Sequence, residues 1–363
     1  MKFKYAGIAI REVNEIAVSL TLIVLLTVFI PSKVFSQEDT TYFVSYEKML
    51  TTRLYTSRKY TSFLVKDNLF DNKFRFEPNS NLNLGIGATY NNLTLNIGIG
   101  FDFMNPERGR GETKFLDLQS HIYGKKMVID LFGQFYNGYF LQKINGAYLD
   151  RSEIVVYPDM RIRKFGGSAQ YLFNGEKISL KAAFHQSAWQ KKSAGSFFTG
   201  MEVYGGWVMN EGNFIPESFQ GSNNRGFQRL GFFQIGPNAG YVHTFVFWKH
   251  FFITGMFSGN IGIGNTNMNL MEGESRKWGV NFNTFLRGFI GYNGPVWSIN
   301  ANYINNNVRL ANNSDFATSV MTGNYRINFV YRFKVGPKLR PFMDFFDLKR
   351  LFPAKSRLTE VEE

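Results

Sequence analysis

The side chains able to do metal, thiol or acid–base chemistry are few. The chain has four histidines, His121, His185, His243 and His250, and no cysteine. No two histidines stand at His-x-x-x-His spacing, and without thiolates there is neither a tetrahedral ligand set nor a disulfide, so no metal and no cofactor is expected. One arrangement suits hydrolysis. In an extended strand, His185-Gln186-Ser187 places an imidazole and a hydroxyl on one face, since side chains two apart point the same way, and Glu202 could orient the base from a neighbouring strand. A nucleophile, a base and an orienting acid are what acyl transfer needs. Against it, the same parity turns His185 toward the polar face beside Lys181. The expected role is a hydrated wall histidine, and the chain reads as a non-enzyme. The glycine-rich pieces Gly85-Ile86-Gly87 and Gly109-Arg110-Gly111 fall in a strand and a loop, not between a strand and a helix, so they are not phosphate cradles.

The remaining chemistry is charge placed by strand parity. Lys181, Arg287, Arg326 and Arg332, with Asp102, Asp117, Asp130, Glu202 and His185, fall on the face away from an apolar stripe. Buried without partners each charge would cost several kcal/mol, so that face is expected to line a wet lumen. Arg287, Arg326 and Arg332 lie near the C-terminal end and Asp102, Asp117 and Asp130 in the N-terminal half. The leading functional expectation is a passive pore or small-solute channel, with a structural or partner-binding barrel scaffold as an alternative, and opposed walls of this kind would give such a pore a weak anion preference. The same charges could instead neutralise one another and narrow or plug the lumen, as Phe132, Tyr136, Phe285 and Phe289, also inward by parity, suggest.

The elements that position these residues are strands. From about residue 50 to 334 one unit recurs, a period-two run followed by a turn signal. Leu84, Ile86, Ala88 and Tyr90 alternate with glycine and threonine; Leu95, Ile97 and Ile99 alternate with asparagine and glycine. The pattern returns in Ile178-Leu180-Ala182-Phe184 and in Tyr325, Ile327, Phe329, Tyr331 and Phe333. The chain is 17% aromatic, yet its mean hydropathy is −0.20. Apolar residues are thus interleaved with polar ones and not pooled, as in membrane barrels. Tight turns at Asn91-Asn92, Gly124-Lys125-Lys126, Asn174-Gly175, Trp248-Lys249-His250 and Asn293-Gly294 alternate with longer connections at 105–112, 141–159, 191–195, 264–276 and 309–315. These features predict an all-β, transmembrane, up-and-down antiparallel β-barrel of about 12–14 strands. The stretch 211–226, broken by Pro216, could hide one more strand.

Lys2, Lys4 and Arg11 precede an apolar run from Ile16 to Ile30, followed by Pro31 and Val34-Phe35-Ser36. This predicts a signal peptide over 1–36 with a mature start at Gln37. A short periplasmic segment (37–48), a barrel (49–334) and a periplasmic tail (335–363) follow, and the expected location is the cell outer membrane. The net charge of +13 is scattered and forms no basic block, which argues against nucleic acid. Outer-membrane lipid and lipopolysaccharide, or small anionic solutes, suit it better. In the tail, Phe342, Phe345, Phe346, Leu348, Leu351 and Phe352 recur at helical spacing. They fit an amphipathic turn packed under the barrel or a docking segment for a periplasmic partner.

Two resemblances bear on function. The His-x-Ser element is similar to that of outer-membrane lipid A deacylases, which use such residues as base and nucleophile; it is three letters long and its acid spacing differs. The broader likeness rests on Arg53-Leu54-Tyr55-Thr56-Ser57-Arg58-Lys59-Tyr60-Thr61, on Pro78-Asn79 leading to Leu84-Gly85-Ile86-Gly87-Ala88, on Lys114-Phe115-Leu116-Asp117-Leu118-Gln119, and on Asp130-Leu131-Phe132-Gly133-Gln134-Phe135-Tyr136-Asn137-Gly138. Across nearly the whole mature chain these make it similar to the uncharacterised outer-membrane proteins of Bacteroidetes gathered as domain of unknown function 4421. That resemblance implies a location and a fold, and no activity.

Overall fold

The computed structural model describes residues 41–90, 93–106, 109–220, 225–338 and 341. The leader and the tail aromatics lie outside the described residues. In chain order the strands are β1 (Phe43–Ser45), β2 (Met49–Asp67), β3 (Lys73–Glu77), β4 (Asn83–Tyr90), β5 (Leu93–Gly100), β6 (Lys114–Tyr123), β7 (Met127–Ile144) and β8 (Ala147–Tyr148). They continue as β9 (Val156–Leu172), β10 (Ala188–Gln190), β11 (Ala194–Met209), β12 (Phe227–Phe247), β13 (Phe251–Leu270), β14 (Gly273–Asn293), β15 (Trp297–Arg309) and β16 (Phe316–Lys334). One short helix, α1 (Leu180–Phe184), precedes β10. No helix among the described residues is long and apolar enough to cross a membrane.

Fourteen strands form one antiparallel sheet, and ten of them close a ring in the order β16, β15, β14, β13, β12, β11, β9, β7, β3, β2 and back to β16. The closing seam pairs β2 with β16 from Met49↔Lys334 to Asp67↔Phe316. The fold is therefore the expected barrel, with a closed ring narrower than the expected 12–14 strands. The reason lies in the N-terminal third. β3 and β4 both descend alongside β2 but are separated around Pro78, which cannot donate to a ladder. β3 alone bridges β2 to β7, while β4, β5 and β6 insert below it, β4 on β2, β5 on β4 and β6 on β7.

Two other expectations change. The alternation Ile178-Leu180-Ala182-Phe184 is no wall strand: it is α1 and its approach, lying inside the ring, so that both of its faces are buried. The connection expected over 264–276 is mostly strand, since β13 and β14 pair from Phe251↔Tyr292 to Leu270↔Gly273 across a turn of two residues. The segment 211–226 contains no strand among its described residues.

The outer wall carries an apolar band. Ile86, Phe197, Ile253, Phe257, Ile261 and Ile327 are all about half exposed or more, although each is a residue type that globular proteins bury. Small residues let rings lie flat on this wall. A Cβ at Gly323 would come within 2.2 Å of the Tyr60 ring, so that glycine is what allows Tyr60 to reach the ring of Tyr325 at 5.9 Å. The inner wall alternates with the outer one and is polar through the middle, with Asn260, Asn283, Gln234 and Lys164 all buried.

Candidate functional site

Buried polar groups converge in the lumen, and the chain itself occupies it. At the end where β2 begins and β16 finishes, here the terminal end, residues 178–190 fold inward as a plug of α1 and β10, with β10 paired to β1. Gln186 ends α1 in the left-handed region (φ 56°) and returns its side-chain amide to the carbonyls of Ala182 and Ala183. The wall holds this plug by its backbone. Arg332 Nε and Nη2 donate to Gln186 O at 3.0 and 2.6 Å, while Nη1 donates to Gly294 O and Nη2 also to Asn293 Oδ1 and Ser298 Oγ. Asn293 Nδ2 donates to Ala188 O at 2.9 Å, Asn300 Nδ2 to Ala183 O at 3.3 Å and Arg53 Nη2 to His185 O at 3.1 Å. Packing adds Phe184 against Phe289, ring centroids 4.1 Å apart, and an ion pair joins Lys181 to Glu47 at 2.5 Å.

Above the plug the charges pair across the barrel. Arg287 on β14 forms a buried ion pair with Asp130 on β7, whose carboxylate also accepts a hydrogen bond from His121 Nδ1 at 2.7 Å. Asp117 on β6 is held by Lys59 at 3.0 Å and by the Tyr136 hydroxyl at 3.0 Å. A third chain of bonds runs through Lys164, whose Nζ donates to Asn306 Oδ1 at 2.8 Å. Asn306 donates to the Tyr204 hydroxyl, and Tyr204 donates to Glu202, which also accepts from Asn238. Breaking a buried pair leaves an uncompensated charge at about 3–5 kcal/mol, so these links fix the inner walls.

The distal end is closed by aromatics. Phe214 and Ile215, from the connection after β11, are buried and pack with Phe63, Phe76 and Phe227, the Phe214 centroid lying 4.9–5.8 Å from those three rings. Asn213 shapes the turn by accepting from Ile215 N at 3.0 Å. Arg225 ties the same connection to Asp67 and Asp315.

Of the nine candidate lumen residues, Asp117, Asp130, Glu202, Arg287, Arg326 and Arg332 face the lumen from wall strands. Arg326 lies over the Tyr55 ring, 4.2 Å from its centroid. Lys181 and His185 are inside as well, but on the plug and not on the wall, because the strand expected there is α1. Asp102 is a correction: β5 ends at Gly100, and Asp102 opens an exposed 3-10 turn at the start of the β5–β6 connection. Arg287 and Asp130 do face each other from opposed strands, but as a direct ion pair that neutralises both, and the N-terminal half also carries the inward cations Lys59 and Arg53. The hydrolase constellation does not assemble. Ser187 is buried in the plug and shares no hydrogen bond with His185 among the described residues, His185 packs on Tyr123, and Glu202 is bound to Tyr204 and Asn238. The sequence reading missed Lys164, Lys59 and Arg53. Counting in twos from Met160 and Ile162, whose side chains are buried, would have turned Lys164 inward.

Over 84% of this chain and 100% of the other, the protein is similar to the outer membrane protease OmpT from Escherichia coli, at 10% identity and a TM-score of 0.38. Neisserial surface protein A (NspA) aligns with 78% of this chain and 97% of its own at 8% identity and TM-score 0.22. The outer membrane protein OprG from Pseudomonas aeruginosa aligns with 78% and 96% at 11% identity and TM-score 0.20. Among curated proteins none matches. The profile of one family of unknown function matches residues 37–333, most of the chain, and the protein therefore belongs to the DUF4421 family.

Proposed function

We propose that this protein spans the outer membrane as a self-plugged barrel and serves there as a structural or partner-binding scaffold, closed to solutes at rest. The apolar band supports the membrane placement: a soluble protein seldom exposes a contiguous apolar surface of this extent, whereas a closed sheet satisfies its backbone internally and can face lipid. The terminal end, where the chain enters and leaves the barrel and where the turns 124–126, 248–250 and 294–296 are short, faces the periplasm in this reading. The observation that carries the closed state is the set of plug carbonyls, at Ala183, His185, Gln186 and Ala188, each held by a wall side chain.

A gated small-solute channel is the second reading. It is favoured by the manner of docking, since the plug is held by hydrogen bonds, salt bridges and packing in a chain without cysteine. No catalytic step is assigned, because the base and nucleophile candidates do not meet. Sugar-driven swelling of reconstituted liposomes separates the readings. The scaffold reading expects no swelling from the wild-type protein or from Arg332→Met. Swelling by Arg332→Met alone favours the gated channel, and swelling by the wild type contradicts a closed barrel.

A further inference from the structure

The outer wall bears a groove that the lumen reading does not use. β15 stops at Arg309, where its ladder to β14 has already ended at Thr284↔Asn307, whereas β14 continues to Gly273. The wall is therefore notched at the distal end, and a groove of about 610 Å³ crosses the outer face from β14 to β7. On β16 it is lined by the small residues Ala317, Thr318 and Ser319. Leu64, Val280 and Phe282 give it an apolar stretch, and five cations line it: Lys66, Lys73, Arg75, Lys143 and Arg309. No acidic residue lines it. Among the described residues Lys66 is paired with Asp71 and Arg75 with Glu77, while Lys73, Lys143 and Arg309 make no ion pair.

The placement says what kind of anion fits. Tyr60 meets the ring of Tyr325, and Tyr325 that of Tyr303, on the outer wall; such a cluster marks a membrane–water boundary. Leu64 is four residues further along β2, about 13 Å at the usual strand rise. The groove thus begins in the apolar band, where Phe282 pairs with Ile261, and reaches past the tyrosine cluster at Leu64 toward the level of headgroup phosphates. Four of its cations form two poles, Arg309 on β15 and the group Lys73, Arg75 and Lys143 on β3 and β7, while the fifth, Lys66, lies between them on β2 and is paired with Asp71. Three strand spacings separate β15 from β3, about 14 Å, with the small residues of β16 between them.

We infer that this groove binds a bisphosphorylated disaccharide lipid of the outer leaflet, one phosphate at each cationic pole, the sugars over Ala317 and Ser319 and the acyl chains against Leu64 and the apolar band. The inference rests on the membrane placement proposed above. The same cations would meet free phosphate, but that ion would need neither two poles nor the apolar stretch.

The test is native mass spectrometry of the purified full chain in detergent, titrated with bisphosphorylated lipid A, its monophosphorylated form, phosphatidylglycerol and inorganic phosphate. The wild type should bind the bisphosphorylated lipid in preference to the other three. Arg309→Gln should lower that affinity about tenfold, toward the monophosphorylated value, as expected for one charge-assisted contact. Lys73→Gln should act in the same direction, and Lys126→Gln at the opposite end should change nothing. Unchanged binding by both groove variants overturns the inference, as does equal binding of phosphatidylglycerol or full competition by inorganic phosphate. Failure of the membrane placement is read separately, as recovery of the untitrated protein in the aqueous phase without detergent.

Discussion

Arg332→Met isolates the step that closes the barrel. The guanidinium makes two bonds to the Gln186 carbonyl and three to wall acceptors, between 2.6 and 3.0 Å. Methionine keeps much of the side-chain volume and removes every donor. A hydrogen bond to a charged group contributes about 1.5–3 kcal/mol, and an orphaned buried carbonyl costs about 1–3 kcal/mol. Undocking of the plug should therefore become easier by about 3 kcal/mol, which at 1.36 kcal/mol per decade is roughly a hundredfold. The chain contains no cysteine, so a single introduced thiol reports without background. Ser187→Cys places it in the plug, at a site 2% exposed. Maleimide labelling of this thiol should be slow in an otherwise wild-type protein and about a hundredfold faster with Arg332→Met. Ser258→Cys, an equally buried position on the inner wall at β13, should remain protected in both, which distinguishes plug release from barrel unfolding. An unchanged rate at position 187 would refute the assigned role of Arg332.

Three further predictions concern the wall. Arg287→Met should destabilise the barrel by about 3–5 kcal/mol by leaving Asp130 charged and buried, and adding Asp130→Leu should recover most of the loss; the shift in unfolding midpoint on heat-modified gel mobility measures both. Gly323→Val should cost about 1–3 kcal/mol through overpacking against Tyr60, with rescue by Tyr60→Ala, read as the urea midpoint of folding in vesicles. Ile261→Arg, in the middle of β13 on the outer face, should cost roughly 2–4 kcal/mol when the protein folds into bilayers. A neutral effect there would place that face in water.

The sequence displays the wall far better than what fills it, for a physical reason. A wall strand has one face toward each medium, and β12 to β16 therefore write their parity plainly; Ile327 and Phe329 are exposed outside, and Asn328 is buried inside. The plug faces protein on every side. Ile178, Leu180 and Ala182 alternate like a strand, yet the intervening Ser179 and Ala183 are buried too, so alternation there carries no direction. Phe214 and Ile215 are hidden for a similar reason, as two apolar residues in a connection that turns inward. The ring of ten was illegible because Pro78 interrupts a descending strand, and because β4 to β6 have full strand patterns without closing the ring. Parity did place Asp130 and Arg287 inside. Their pairing joins residues 157 apart in sequence, and no local pattern records that.

The most direct test of the closed barrel is single-channel recording of the purified protein in planar bilayers bathed in concentrated potassium chloride. The plug, the Arg287–Asp130 link and the Phe214 cluster predict insertion without conductance steps in the wild type. Reproducible, long-lived steps from wild-type protein would contradict the account.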